Sequence, residues 1–194
     1  TGNGNTVSFT GTPIDLSGGA ALTLRTLSDS FGGTGTFAVT LAADQPFYRL
    51  NSASLTVTGD AADMCLGCDG IGSTTPFNGV GWVATNGSTI NSAILGLLAF
   101  ENGVSITTTS TQALVQLSAS TANLNESVIH VRGAGTKANS IAGPLLSMNG
   151  ASIINVASGV LLAVNTGAQM TLLNNGQLVN FLDTASRVNL TTAL

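Results

Sequence analysis

The residues whose types and spacing could carry chemistry gather between positions 60 and 69. Cys65 and Cys68 frame a Cys-Leu-Gly-Cys loop, with Asp60, Asp63 and Asp69 around it. A redox dithiol sits at a helix start that follows a strand, and no helical pattern is present here. Haem attachment needs a histidine directly after the second cysteine, and Asp69 stands there instead. Two thiols do not complete a tetrahedral zinc set, and the single histidine, His130, belongs to a different repeat. The simplest reading of the pair is a local disulfide that pins the loop, which suits an oxidising compartment. The three aspartates offer the oxygen ligands calcium prefers, but neither an EF-hand nor a Gly-Asp nonapeptide repeat surrounds them. A solvated acidic loop accounts for them.

Elsewhere the reactive side chains are dispersed. Glycoside hydrolysis needs two carboxylates facing one bond at a fixed separation, and the carboxylates here are few and scattered. His130 has no serine or aspartate within its own motif. Three sequons, at Asn86, Asn125 and Asn189, match the N-glycosylation pattern, in a chain rich enough in Asn, Ser and Thr for chance matches. Thr107-Thr108-Thr109 is reminiscent of threonine arrays on ice-binding solenoids, but threonine does not recur at that place in the other repeats. The expectation is a chain without catalytic residues, metal or cofactor.

The elements that would position these residues come from one short phrase. Leu145-Leu146-Ser147-Met148 is followed by Asn149-Gly150-Ala151-Ser152-Ile153, and Leu161-Leu162-Ala163-Val164 by Asn165-Thr166-Gly167-Ala168-Gln169-Met170. Leu178-Val179-Asn180-Phe181 leads through a turn to Ala185-Ser186-Arg187-Val188. The phrase is two apolar residues, a small or polar one, another apolar one, a turn, and a second alternating strand. Earlier copies begin at Phe47, Trp82, Leu97, Leu114 and Val128, with a degenerate one at Met64. Most steps are 16 or 17 residues, and a fixed period of this size signals a stacked repeat. Coils of roughly 17 residues cannot bury an apolar face alone, whereas stacked coils can. The same strand type recurring in one order favours an all-β, parallel β-solenoid over a hairpin array. Asn91, Asn139 and Asn155 fall near the turns, where stacked amides can satisfy one another.

Residues 1–46 alternate with period two at Val7-Ser8-Phe9, Ile14-Asp15-Leu16, Leu22-Thr23-Leu24 and Phe37-Ala38-Val39 but lack the clean phrase. They read as irregular first coils or a cap, with a separate small β-domain as the alternative; residues 47–194 are the repeats. Only 7% of the 194 residues are charged, which separates the chain from a disordered one and suits a secreted surface protein. The net charge is -4, and the five basic residues are scattered, so nucleic-acid binding is excluded. No apolar run approaches the ~18 residues of a membrane-spanning helix. The chain begins at Thr1 without a leader pattern, so a processed chain or a fragment is expected.

Residues 148–153 and 161–168 resemble coils of bacterial β-helical surface proteins, the autotransporter passengers and filamentous-haemagglutinin-like adhesins. The resemblance is to an architecture and covers about three quarters of the chain. It implies a secreted adhesive or structural protein.

Within the phrase, the second and fourth residues should point inward and the third outward, giving an outward column of Arg49, Ala99, Gln116, His130, Ser147, Ala163 and Asn180. The first position should then also face out, yet it reads Phe47, Trp82, Leu97, Leu114, Val128, Leu145, Leu161 and Leu178. Either these residues sit at a corner where two consecutive side chains face the core, or they form an exposed apolar ladder for self-assembly. The reading that follows is an extracellular, non-enzymatic subunit that stacks with copies of itself into a fibre. The alternative is a surface adhesin or passenger segment binding a host, matrix or glycan ligand.

Overall fold

A computed structural model describes residues 6–25, 38–59, 64–66, 77–93, 96–101, 105–173 and 176–191. The chain winds as a parallel β-solenoid with coils around 33 residues apart. Two six-stranded sheets run the length of the molecule. The first stacks Ile14–Ser17, Pro46–Asn51, Val80–Thr85, Val115–Ser118, Leu146–Asn149 and Val179–Phe181. The second stacks Ala21–Leu24, Ser54–Val57, Thr89–Ser92, Thr121–Leu124, Ile153–Val156 and Arg187–Leu190. A third sheet holds Met64–Leu66, Leu98–Phe100, Ile129–Val131 and Leu162–Val164, and a fourth holds Ser105–Ile106, Lys137–Ile141 and Gln169–Leu172. Thr6–Phe9 pairs with Ala38–Leu41. All pairings are parallel among the described residues. Ile14–Ser17 and Ala21–Leu24 pair in register with Tyr48–Asn51 and Ser54–Val57, so the first described coil continues the same two sheets as the repeats.

The 17-residue period is therefore half a coil. Each phrase is one strand–turn–strand unit, and two units are needed to close the cross-section. Leu146 pairs with Val115 and Val179, not with Leu162, whose partner is Ile129. Phrases adjacent in sequence lie on different faces, and each strand bonds to the phrase after next. Two phrases are also phased differently from the sequence reading: Met64 pairs with Leu98 and so takes the second position of its phrase. Trp82 pairs with Tyr48 and Val115, so it occupies the second, inward position, and Gly81 takes the first.

The corner geometry overturns the exposed apolar ladder. Leu97, Leu114, Val128 and Leu145 each sit at a bend directly before a strand, and they are 0–1% exposed. A bend breaks the two-residue alternation, so the first and second residues of the phrase both enter the core. Trp82 is fully buried for the separate reason of its phase. Phe47 is half-buried inside its strand, edge-on to Tyr48 with ring centroids 4.7 Å apart. Leu161 and Leu178 are half-buried because they lie on the last coil. Of the proposed outward column, Arg49, Gln116, Ser147 and Asn180 line the first sheet, while Ala99, His130 and Ala163 belong to the third.

Between the first and second sheets the chain turns within a few residues. Left-handed residues make this possible: Asn86 and Gly87 (φ 56° and 77°) in one coil, Gly150 and Ala151 (φ 64° and 60°) in another. Turns this tight leave backbone groups to satisfy, and a column of serines does so. Ser88, Ser120 and Ser152 are at most 3% exposed, with Ser186 at 9%. Ser88 Oγ donates to the carbonyl of Thr85 (2.6 Å) and accepts from the Ala53 amide one coil back (3.2 Å). Ser152 Oγ repeats this with the Asn149 carbonyl (2.6 Å) and the Ser120 amide (3.1 Å).

Candidate functional site

The two surfaces on which polar and apolar side chains are most regularly arrayed are the outer face of the second sheet and the end of the solenoid at residues 161–191. On the second sheet, Asn91, Asn123, Asn155 and Asn189 share one register position. Asn123 Nδ2 donates to Asn91 Oδ1, Asn155 Nδ2 to Asn123 Oδ1 and Asn189 Nδ2 to Asn155 Oδ1, each at 2.8 Å. Asn91 Nδ2 ends the series on Thr56 Oγ1 at 3.2 Å. Every amide thus donates toward the N-terminal end, and those of Asn91, Asn123 and Asn155 accept from the C-terminal side. Beside this ladder runs an uncharged groove of about 470 Å³, lined by its amides together with Thr56, Asn125, Ala157 and Thr191.

On the last described coil the core opens. The last strands of the four sheets, Leu162–Val164, Gln169–Leu172, Val179–Phe181 and Arg187–Leu190, are edge strands among the described residues. An apolar mouth of about 550 Å³ lies there between Leu162, Met170, Leu172 and Leu178. The exposed large hydrophobic residues of the described chain all fall on this coil: Val164 (43%), Leu173 (43%), Phe181 (47%), Leu182 (60%) and Leu190 (44%). At the opposite end Phe9, Ile14, Leu16, Leu22 and Leu24 are only partly buried. Arg49 makes an ion pair with Asp15 on that first edge, and its guanidinium holds the Asp15 carboxyl below the usual range.

The last turn between the first and second sheets differs from the others. Where Gly19 and Gly87 donate to a backbone carbonyl of the next coil, Ala151 donates to Asp183 Oδ2 (3.2 Å). Asp183 Oδ1 also accepts from the amides of Ser186 (2.6 Å) and Ala185 (2.7 Å), and its Oδ2 accepts from Ser186 Oγ (2.9 Å). A side chain has replaced the backbone acceptor. These bonds, led by the Ser186 amide, hold the Asp183 carboxyl at about 2, against 3.8 ordinarily. The folded pKa is depressed, so the stabilisation is full above pH 3.8 and is lost as pH falls through about 2. Carboxyl chemical shifts followed by NMR should place the Asp183 midpoint near 2; a midpoint at the ordinary value would mean that the turn does not hold these bonds.

The remaining sequence candidates are spread over the molecule. Cys65 lies in the strand Met64–Leu66, and Asp60, Asp63, Asp69 and the second cysteine, Cys68, lie outside the described residues, as does the disulfide pairing. His130 is 8% exposed on the third sheet. Its Nε2 stands 3.9 Å from Glu126 Oε2, and burial, followed by the charge of Arg132, pushes its pKa down. Arg132 in turn forms an ion pair with Glu101. The sequons are dispersed and exposed: Asn86 in a turn, Asn125 after a strand, and Asn189 in the ladder. Of the asparagines expected to stack, Asn91 and Asn155 do so, but in mid-strand, and Asn139 lies in the fourth sheet. Asn123 and the serine column were missed. Their signal was the recurrence of Asn two residues into the second strand and of Ser just before it.

The class these features define is a parallel β-solenoid. Compared with known protein families, curated proteins and solved structures, the chain matches none.

Proposed function

We propose that the chain is an extracellular, non-enzymatic structural subunit that stacks head to tail into a filament. The observation that carries this reading is the concentration of exposed large hydrophobic residues on one edge-strand coil. Open parallel edges offer unpaired amides and carbonyls to another chain, and an apolar rim gives the contact a driving force. Contact between two different ends of one molecule does not close on itself, so it propagates. The low charge density and the sequons support the extracellular assignment.

Negative-stain electron microscopy of the purified chain, with sedimentation velocity over a concentration series, tests this. Unbranched filaments one solenoid wide are expected. The Phe181→Lys/Leu190→Lys chain, with an unchanged far-UV spectrum, should remain as single particles because each lysine would be buried without a partner. A wild-type chain that stays monomeric throughout the series overturns the filament. The groove beside the asparagine ladder supports a second reading, an adhesin that binds a ligand along the solenoid axis; dispersed slender particles would favour it.

A further inference from the structure

We infer that the junction between copies continues the second sheet in register, with the Thr23 hydroxyl of the following copy donating to Asn189 Oδ1. This rests on the filament reading and names the geometry of its contact. Four observations converge on it. First, the ladder is polar: each amide accepts from the residue one coil further on, and Asn189 Oδ1 is the acceptor at its C-terminal end. The group that follows must be a donor at the same register position. Second, that position in the first coil is Thr23, which aligns with Thr56, and Thr56 aligns with Asn91. A hydroxyl can donate as well as accept. Third, the inward columns match across the same junction. Val188 would meet Leu22, and Leu190 would meet Leu24; all four are incompletely buried in the single chain. Fourth, the alternatives fail on donors. A two-fold contact between equivalent ends would set two Asn189 Oδ1 acceptors against each other and make the strands antiparallel, breaking the ladder. A one-residue slip would send Leu22 and Leu24 to the outer face.

The lateral rows agree with this arrangement. In the first sheet the same step places Ile14 on Val179 and Leu16 on Phe181, again apolar on apolar. Head-to-tail stacking therefore repeats at the junction the column chemistry that the chain uses between its own coils.

Helical reconstruction of the filaments is the direct test. Thr23 of one copy and Asn189 of the next should lie one strand spacing apart, about 4.8 Å. The accompanying variants are Thr23→Val, which keeps shape and strand preference but loses the donor, and Thr23→Asn, which restores it as an amide. Thr23→Val should raise the critical concentration for assembly about 2- to 10-fold, as loss of one such hydrogen bond would. Thr23→Asn should return it to the wild-type value or below. Wild-type filaments joined end to end by a two-fold axis, or with equal critical concentrations in all three chains, would overturn this register and leave the filament standing. Absence of filaments in the wild-type chain would overturn both.

Discussion

Trp82→Ala should destabilise the solenoid by about 3–5 kcal/mol, the range for truncating a buried aromatic side chain. Trp82 is fully buried and heads the largest side chains in the core. Its ring lies 4.2 Å from that of Tyr48 one coil earlier, tilted by 33°, and its Nε1 donates to the Leu97 carbonyl at 2.7 Å. The indole therefore joins two coils by packing and braces its own coil from the first sheet to the corner before the third. Alanine removes the apolar contact, opens a cavity between rungs, and deprives the Leu97 carbonyl of its side-chain donor. Trp82→Phe keeps an aromatic ring but loses the bond and some buried volume, so its cost should be the smaller, about 1–3 kcal/mol. Urea unfolding followed by far-UV dichroism measures both, since Trp82 is the single tryptophan and its loss removes the fluorescence probe. In a stacked repeat each coil touches only its neighbours, so lost amide-exchange protection should centre on the rungs of Tyr48 and Val115. A cost below about 1 kcal/mol for alanine would mean that the coils close over the gap.

The fold class was readable because the strands carry their signal locally. Leu146 and Met148, or Val115 and Leu117, alternate with polar partners and are buried as the alternation requires. What the sequence could not show is which phrase lies above which. Both halves of a coil solve the same problem, burying an apolar strand and turning sharply, so they converge on the same residue types and halve the apparent period. Only the pairing of Leu146 with Val115, two phrases back, separates a coil of 17 from one of 33. The corner leucines were ambiguous for a related reason. Alternation predicts facing only while the strand is straight, and Leu97, Leu114, Val128 and Leu145 stand where it bends.

The functional surfaces were less readable because their residues are ordinary. Asn, Ser and Thr are abundant throughout, and what distinguishes Asn123 from Asn139 is stacking position. The asparagine amides bond to their equivalents in adjacent coils, and each serine hydroxyl of Ser88 and Ser152 ties a carbonyl of its own turn to a backbone amide one coil back. Such chemistry serves stacking, and its outermost members lie on the first and last described coils. That is the link between the composition of the chain and the assembly proposed for it.

Gly96→Ala should be among the most damaging small substitutions, at about 3 kcal/mol, the upper part of the range for forcing atoms into a packed interior. Gly96 precedes the corner residue Leu97, where one coil lies directly against the next. An added Cβ would overlap the Ser127 carbonyl oxygen and stand 2.7 Å from that of Val128. The Val128 carbonyl in particular is held in place. The Val128 carbonyl accepts from the amides of both Leu97 (2.9 Å) and Leu98 (3.2 Å), so displacing it loosens the third sheet where Leu98 pairs with Ile129. Gly87 provides the contrast. It has a left-handed φ of 77° but nothing within 4 Å of an added Cβ, so Gly87→Ala meets only backbone strain, about 1–2 kcal/mol. Urea midpoints for the two variants therefore separate close packing between coils from local backbone preference. Equal costs, or a larger cost at Gly87, would show that the coils are spaced more loosely at the Leu97 corner than the Ser127 and Val128 contacts require.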